Sequence, residues 1–247
     1  MQEYIYNVKC VLSYDGSMYQ GFQVQHDDPT IELELMKALK VITKEPTKIF
    51  GSGRTDKGVH AFGQVFNFYT NLKVPANKLM YAINRMLPQD IRVTSVEYVD
   101  MDFHARFSAV KKEYRYYIKY QNYSPLHSRY SHYKEKLDLD KMQEAIKLFE
   151  GTHNFEGFCS SEVDKRKDCT KTIYNASINK RGDFYEFVFE GTGFLKYQIR
   201  RMMSLLIAIG EGKDTKERIL ELYQTKEKQM YHRIAPGCGL YLYRVDY

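Results

Sequence analysis

Residues 51–68 read GSGRTDKGVHAFGQVFNF. The element that follows these glycines decides the fold. A phosphate-binding loop has the pattern G-x-x-x-x-G-K-[ST] and opens a helix whose N-terminal amides hold the phosphate. Gly53 and Gly58 have that separation, but Val59 and His60 stand where Lys and Ser/Thr belong, and Lys57 precedes the second glycine. The loop also runs into QVFNFYT, residues 64–70, which is rich in β-branched and aromatic side chains and reads as a strand. The stretch therefore predicts a hairpin loop, not a nucleotide cradle. Its glycines permit tight or left-handed turns, and Arg54 and Asp56 project from it. Locally, the two residues read either as a structural pair with a turn-forming aspartate or as groups presented for chemistry.

Working outward, TKIFGSG (47–53) is a short strand leading into the loop. YIYNVKCVLSYDG (4–16) is a strand that stops at the turn signal Asp15-Gly16. Between them Ile31, Leu35, Leu39 and Ile42 recur at helical spacing, with Thr30 as N-cap and Glu32 and Glu34 suited to the helix dipole. A helix starting at Pro75 carries Leu79, Ile83 and Met86 on one face, and DIRVTSVEYVD (90–100) is a strand. The first hundred residues read β-α-β-β-α-β. The second half opens with the strand KEYRYYIKY (112–120), followed by a helix over 137–151 with Gly151 as its stop. A hairpin then turns near Arg181-Gly182-Asp183, the long apolar helix FLKYQIRRMMSLLIAIGEG (194–212) and a short one over 215–224 follow, and GLYLYRVDY (239–247) closes the chain. With one added helix the order repeats. The expected fold class is α+β, two ferredoxin-like (split βαβ) halves spanning 1–105 and 106–247, with the join near residues 100–112 and a cleft between them.

Composition narrows the function. Hydrophobic residues at 43% and charged residues at 28% describe a soluble globular chain. The net charge of +6 suits a polyanionic partner as well as an ordinary basic protein, and 22 Tyr and 14 Phe supply flat rings that suit base stacking as well as ordinary strands. Cys10, Cys159, Cys169 and Cys238 form no C-x-x-C pair, so a zinc ribbon is not expected. No signal peptide and no run near the ~20 apolar residues of a membrane span are seen, and a cytoplasmic protein without metal or membrane attachment is expected.

The motif itself carries a resemblance. GRTDKGVHAFGQVFNF (53–68) resembles the catalytic motif of the tRNA pseudouridine(38–40) synthase (TruA) family. YDGSMYQGFQ (14–23), INRMLPQDIRV (83–93), DFHARFSAVKKEYRYYI (102–118), GTGFLKYQIRRM (191–202) and APGCGLYL (235–242) resemble its other blocks in order. The resemblance implies a pseudouridine synthase fold with a central basic cleft, acting without a cofactor on uridines of the tRNA anticodon arm, as a homodimer. Asp56 matches the essential aspartate, which must be ionised; an aspartate is ordinarily charged at neutral pH, and a cationic neighbour favours that state. Arg200 matches that neighbour, although the local sequence does not separate it from Arg201. Tyr114 matches the residue that stacks on the flipped uracil, and Leu240 an apolar residue lining the base pocket. Arg54 matches the residue that fills the vacated space and contacts the RNA backbone, tasks a planar guanidinium suits. His60, His104 and Arg106 fall among substrate-binding positions; for the two histidines packing or RNA contact suffices, since the reaction needs no histidine nucleophile. Basic runs at 165–167 and 200–201, with Lys111 and Lys112, are expected on phosphates. Phe22 stands where Trp is frequent, Glu113 precedes Tyr114 where a basic residue is common, and Cys238 occupies a variable spot. Two alternatives stay open: a paralogue acting on ribosomal RNA, and a noncatalytic RNA-binding module on the same fold.

Overall fold

Alternate residues of a strand face opposite sides of its sheet, and the first strand, β1 (Tyr6–Tyr14), obeys this: Val8, Cys10, Leu12 and Tyr14 are all buried. In the computed structural model, residues 4–25, 28–160, 168–226 and 233–247 are described; the basic run at 165–167 lies outside them. The chain is α+β, with helices and a mixed sheet, and it divides into two compact units.

The first unit comprises Met1–Val110 and Tyr241–Tyr247. After β1 come α1 (Ile31–Thr43), β2 (Ile49–Gly51), β3 (His60–Thr70), α2 (Ala76–Met86) and β4 (Ile91–Val99), the order read from the sequence. β1 lies antiparallel between β4 and β3, and β2 pairs antiparallel with the far end of β3. Ile31, Leu35, Ala38 and Leu39 of α1 and Leu79 and Ile83 of α2 are buried. Thr30 caps α1 by accepting the Leu33 N–H at 3.4 Å.

The second unit is Lys111–Leu240. It holds β5 (Lys111–Lys119), β6 (His132–Tyr133), α3 (Leu139–Lys147), β7 (Gly151–Asn154), β8 (Thr170–Arg181), β9 (Phe184–Gly191), α4 (Gln198–Gly210) and α5 (Glu217–Thr225). Its strands run in the order β5-β9-β8-β7, and the β8–β9 hairpin turns at the expected Gly182. The α3 helix ends at Lys147, but Leu148, Phe149 and Glu150 continue with i→i−3 backbone bonds until Gly151. Such bonds tighten a last helical turn and satisfy its carbonyls.

The units differ from the expected spans 1–105 and 106–247 at two places. The first ends at Val110, and it also takes all but the first residue of β10 (Leu240–Asp246). β10 pairs in parallel with β3 in the register Tyr241↔His60 and Leu242↔Ala61. The Tyr241 ring stacks between His60 and Phe62, at 4.6 and 5.4 Å, and the Tyr247 hydroxyl donates to the Ala105 carbonyl. A parallel pairing with a strand nearly 200 residues distant leaves no mark on local patterning.

Two polar features carry measurable stability. In the first unit Asn67, wholly buried, donates to Asn7 Oδ1 and accepts the Ala105 N–H, both at 2.9 Å, while Asn7 donates to the carbonyls of Asp100 and Phe103. This pair fixes the segment that carries His104 and Arg106. Asn67→Leu strands a donor and an acceptor and is expected to cost about 2 kcal/mol in a urea titration, where an unchanged midpoint would contradict the role. In the second unit His132 Nδ1 is buried with no hydrogen-bond partner among the described residues. Burial, aided by the Lys134 charge, pushes this imidazole down to about 4 from 6.5. A depressed folded pKa means stability that is complete above 6.5 and is lost as pH falls toward 4. Wild type is therefore expected to lose on the order of 2 kcal/mol relative to His132→Phe across that window, and parallel pH profiles would refute it.

Candidate active site

Residues 53–56 of the loop between β2 and β3 belong to no helix or strand, and their exposure differs sharply from one to the next. Arg54 is exposed, Thr55 is buried at 7% exposure, and Asp56 is partly open. Thr55 is held inside by a 2.8 Å hydrogen bond between its hydroxyl and that of Tyr14, the last residue of β1. With Thr55 anchored inside, its neighbours Arg54 and Asp56 keep their access to solvent.

The loop is fixed at both ends. At its start Gln64, wholly buried in β3, accepts the Ser52 hydroxyl at 2.6 Å and donates to the Gly53 carbonyl at 2.9 Å. At its end the Asp56 carbonyl accepts the Val59 N–H at 3.1 Å, closing a turn through Lys57 and Gly58. Gly58 has φ +72, the conformation that the third residue of a type II turn requires. The Asp15–Phe22 turn lies against this loop: Phe22 N–H donates to the Thr55 carbonyl at 3.1 Å and Gly58 N–H to the Tyr19 carbonyl at 3.4 Å. The approach is so close that a Cβ on Gly16 would sit 2.0 Å from the Val59 carbonyl oxygen. The Tyr19 hydroxyl donates to Asp90 Oδ1 at 2.7 Å, which fastens the turn to the segment before β4. Burial raises the pKa of both Tyr14 and Tyr19, keeping these hydroxyls protonated at neutral pH.

His60 is 2% exposed, stacked on Tyr241 and engaged through Nδ1. His104 accepts the Arg106 N–H on Nδ1 and packs its ring against Phe107 and Phe50, while Arg106 is exposed with its guanidinium over Phe107.

The second unit carries Tyr114, Arg200 and Leu240. Every residue of α4 is buried except Arg200; Arg201, which the sequence alone could not separate from it, is packed within the unit at 9% exposure. Arg200 Nε donates to the Ala235 carbonyl at 2.7 Å, and the Ala235 N–H returns to the Arg200 carbonyl. Tyr114 and Tyr116 lie on one face of β5, the former edge-on to Phe194 and the latter donating to the Pro236 carbonyl at 3.0 Å. Residues 235–240, which end in the buried Leu240, are thus tied to both α4 and β5. Burial raises the pKa of the Tyr116 hydroxyl and the Cys238 thiol, and the Arg200 charge opposes both shifts. Lys111 is engaged by Glu190 at 2.9 Å. Among the described residues no cluster of three His, Cys, Asp or Glu has the arrangement to hold a metal, and no helix is long and apolar enough to cross a membrane.

A family model described as tRNA pseudouridine synthase matches residues 11–108 and 145–247. The chain belongs to the tRNA pseudouridine synthase family. Its relatives include the tRNA pseudouridine synthase A of Oceanobacillus iheyensis, 42% identical over 243 residues, spanning 97% of this chain and 96% of the relative. The Bacillus subtilis protein of the same name is 40% identical over 97% of this chain and 98% of its own. That of Acetivibrio thermocellus is 40% identical over 98% and 99%. The stretches matched to the family model contain Arg54, Asp56, His60, His104, Arg106, Arg200 and Leu240; Tyr114 lies between them.

Sequence reading passed over the residues that shape the loop of this family member. Tyr14, Tyr19, Gln64 and Asp90 act through contacts with residues 12 to 71 positions away. The one local signal was a glutamine opening the apolar run QVFNF. Because Gly16 admits no side chain against Val59, Gly16→Ala is expected to destabilise the protein by about 1–3 kcal/mol and to displace the loop. Differential scanning calorimetry with a parallel activity assay checks this; an unshifted transition with full activity would show that the close approach does not matter.

Proposed function

We propose that this chain isomerises uridine to pseudouridine in the anticodon stem-loop of tRNA, at positions 38 to 40, with Asp56 as its essential group and no cofactor. The observation that carries the proposal is a loop pinned by the buried Thr55, on which the exposed Arg54 and the partly exposed Asp56 flank that anchor. Membership of the tRNA pseudouridine synthase family supports the same reading.

In this reaction the C1′–N1 bond breaks, the uracil turns and C1′ joins C5. The C5 proton is released, N1 ends protonated, and composition is unchanged. The step calls for an ionised carboxylate beside the sugar, which is the part assigned to Asp56. Arg54 takes the place of the extruded nucleotide and binds backbone phosphate. The roles expected for Tyr114, Arg200 and Leu240, and RNA contact by His104 and Arg106, belong to the same proposal. The partly open position of Arg200 in an otherwise buried helix supports choosing it over Arg201.

The proposal includes a duplicated ferredoxin-like plan with a basic cleft. The order β4-β1-β3-β2 in the first unit supports it, as does β5-β9-β8 in the second, where the first strand again sits beside the later member of the hairpin. The net charge of +6 supports a polyanionic substrate. A homodimer, on family resemblance alone, and a cytoplasmic setting complete the proposal.

Asp56→Asn tests the assignment, since it keeps the shape of the side chain and removes its charge. Filter binding is expected to give tRNA affinity within about threefold of wild type. Pseudouridine formation, followed by carbodiimide labelling and primer extension, is expected to fall by at least about a hundredfold. A variant that forms pseudouridine at the wild-type rate would exclude Asp56 as the essential group.

A further inference from the structure

Asp56 must hold one position through bond cleavage, base rotation and bond formation, yet residues 53–56 belong to no helix or strand. The loop takes its shape from Tyr14 at the end of β1 and from the Asp15–Phe22 turn that follows, through Tyr19 and Phe22. What fixes that turn from the sheet side is His60. Its backbone belongs to β3, four residues after Asp56, and its ring is stacked on Tyr241 at an interplanar angle of 20°. From there Nδ1 accepts the N–H of Gly16, the residue pressed on Val59, at 3.1 Å.

The same Nδ1 lies 3.2 Å from Asp15 Oδ1. One ring nitrogen offers either a lone pair or a proton, so the two contacts exclude each other as hydrogen bonds. The Gly16 N–H can only donate, and Asp15 Oδ1 already accepts the Ser17 N–H at 2.9 Å and the Ser17 hydroxyl at 2.6 Å. A lone pair on Nδ1, with the proton on Nε2, satisfies all three donors. A proton on Nδ1 would leave the buried Gly16 N–H facing another donor.

We propose that His60 is a positioning residue for Asp56: neutral, with Nδ1 as the acceptor for Gly16, it clamps the Asp15–Phe22 turn beneath the loop and sets the height and direction of the carboxylate. It acts through the backbone and touches no substrate. The inference rests on the pseudouridine synthase reading and assigns His60 a task that neither packing nor RNA contact describes.

The test compares side chains that place an acceptor differently. In His60→Asn the amide oxygen can occupy the place of Nδ1; in His60→Gln the amide reaches only the place of Nε2; His60→Leu offers no acceptor. With tRNA as substrate, His60→Asn is expected to keep kcat within about threefold of wild type. His60→Gln and His60→Leu are expected to lose at least about thirtyfold in kcat with KM changed by no more than about threefold, because the loop that carries Asp56 moves while the RNA contacts made elsewhere stay. Equal losses in all three variants, or a loss confined to KM, would overturn the role. If the variants do not fold, the wild-type protein still decides through nitrogen-15 spectra of its histidines. An unprotonated Nδ1 on His60 at neutral pH, with slow exchange of the Gly16 amide, is expected, and a protonated Nδ1 would refute it. A wild-type protein that forms no pseudouridine fails the functional reading; an active wild type whose variants do not rank by acceptor position fails this one.

Discussion

The Tyr14–Thr55 hydrogen bond is the contact on which the site depends. It is buried, and it joins the end of the first strand to the middle of the loop, between Arg54 and Asp56. Without it nothing inside the loop anchors the residue between Arg54 and Asp56. The surrounding contacts add to that anchor: Gln64 fixes where the loop begins, the Gly58 turn fixes where it ends, and the Asp15–Phe22 turn fills the space behind it. A loop rich in glycine loses much conformational freedom on ordering, so a site built from one needs many bonds from rigid neighbours. Here those neighbours are β1, β3 and a turn that is itself tied to Asp90.

Buried polarity recurs around the same sheet. Asn7, Gln64 and Asn67 occupy strand positions at 1% exposure or less, where apolar residues would be the simpler choice. Each is bonded to backbone of an irregular segment: Asn7 and Asn67 to residues 100–105, Gln64 to the loop. A buried amide whose bonds are satisfied adds little net stability but penalises any displacement of its partners. The strands thereby impose fixed coordinates on stretches that have no regular structure of their own, which is what a site carried on loops requires.

Local chemistry made much of this legible from sequence. The Thr30 cap with its acidic first turn placed α1, the Arg181-Gly182-Asp183 signal placed the β8–β9 hairpin, and the misplaced Lys57 excluded a phosphate loop. The projection of Asp56 followed from glycines flanking a polar pair and a strand behind them. What escaped the reading depends on contacts distant in sequence. β10 joins the first unit through parallel pairing with β3, and periodicity cannot report a partner. The adjacent arginines at 200 and 201 are identical in type, and only the helix's packing distinguishes them. For His60 the sequence left packing and RNA contact open, because the backbone N–H of residue 16 and the ring of residue 241 that close around it are brought there only by the fold.

The central claim is that a pinned aspartate loop performs a cofactor-free isomerisation on tRNA. Tritium release from transcripts carrying 5-tritiated uridine tests it most directly, because the C5 proton leaves only when carbon replaces nitrogen at the sugar. Purified protein with no added cofactor should release tritium from tRNA bearing uridine at positions 38 to 40, and should release none from the same tRNA with those uridines replaced or from ribosomal RNA. Release from ribosomal RNA alone, or from neither substrate, would contradict the account.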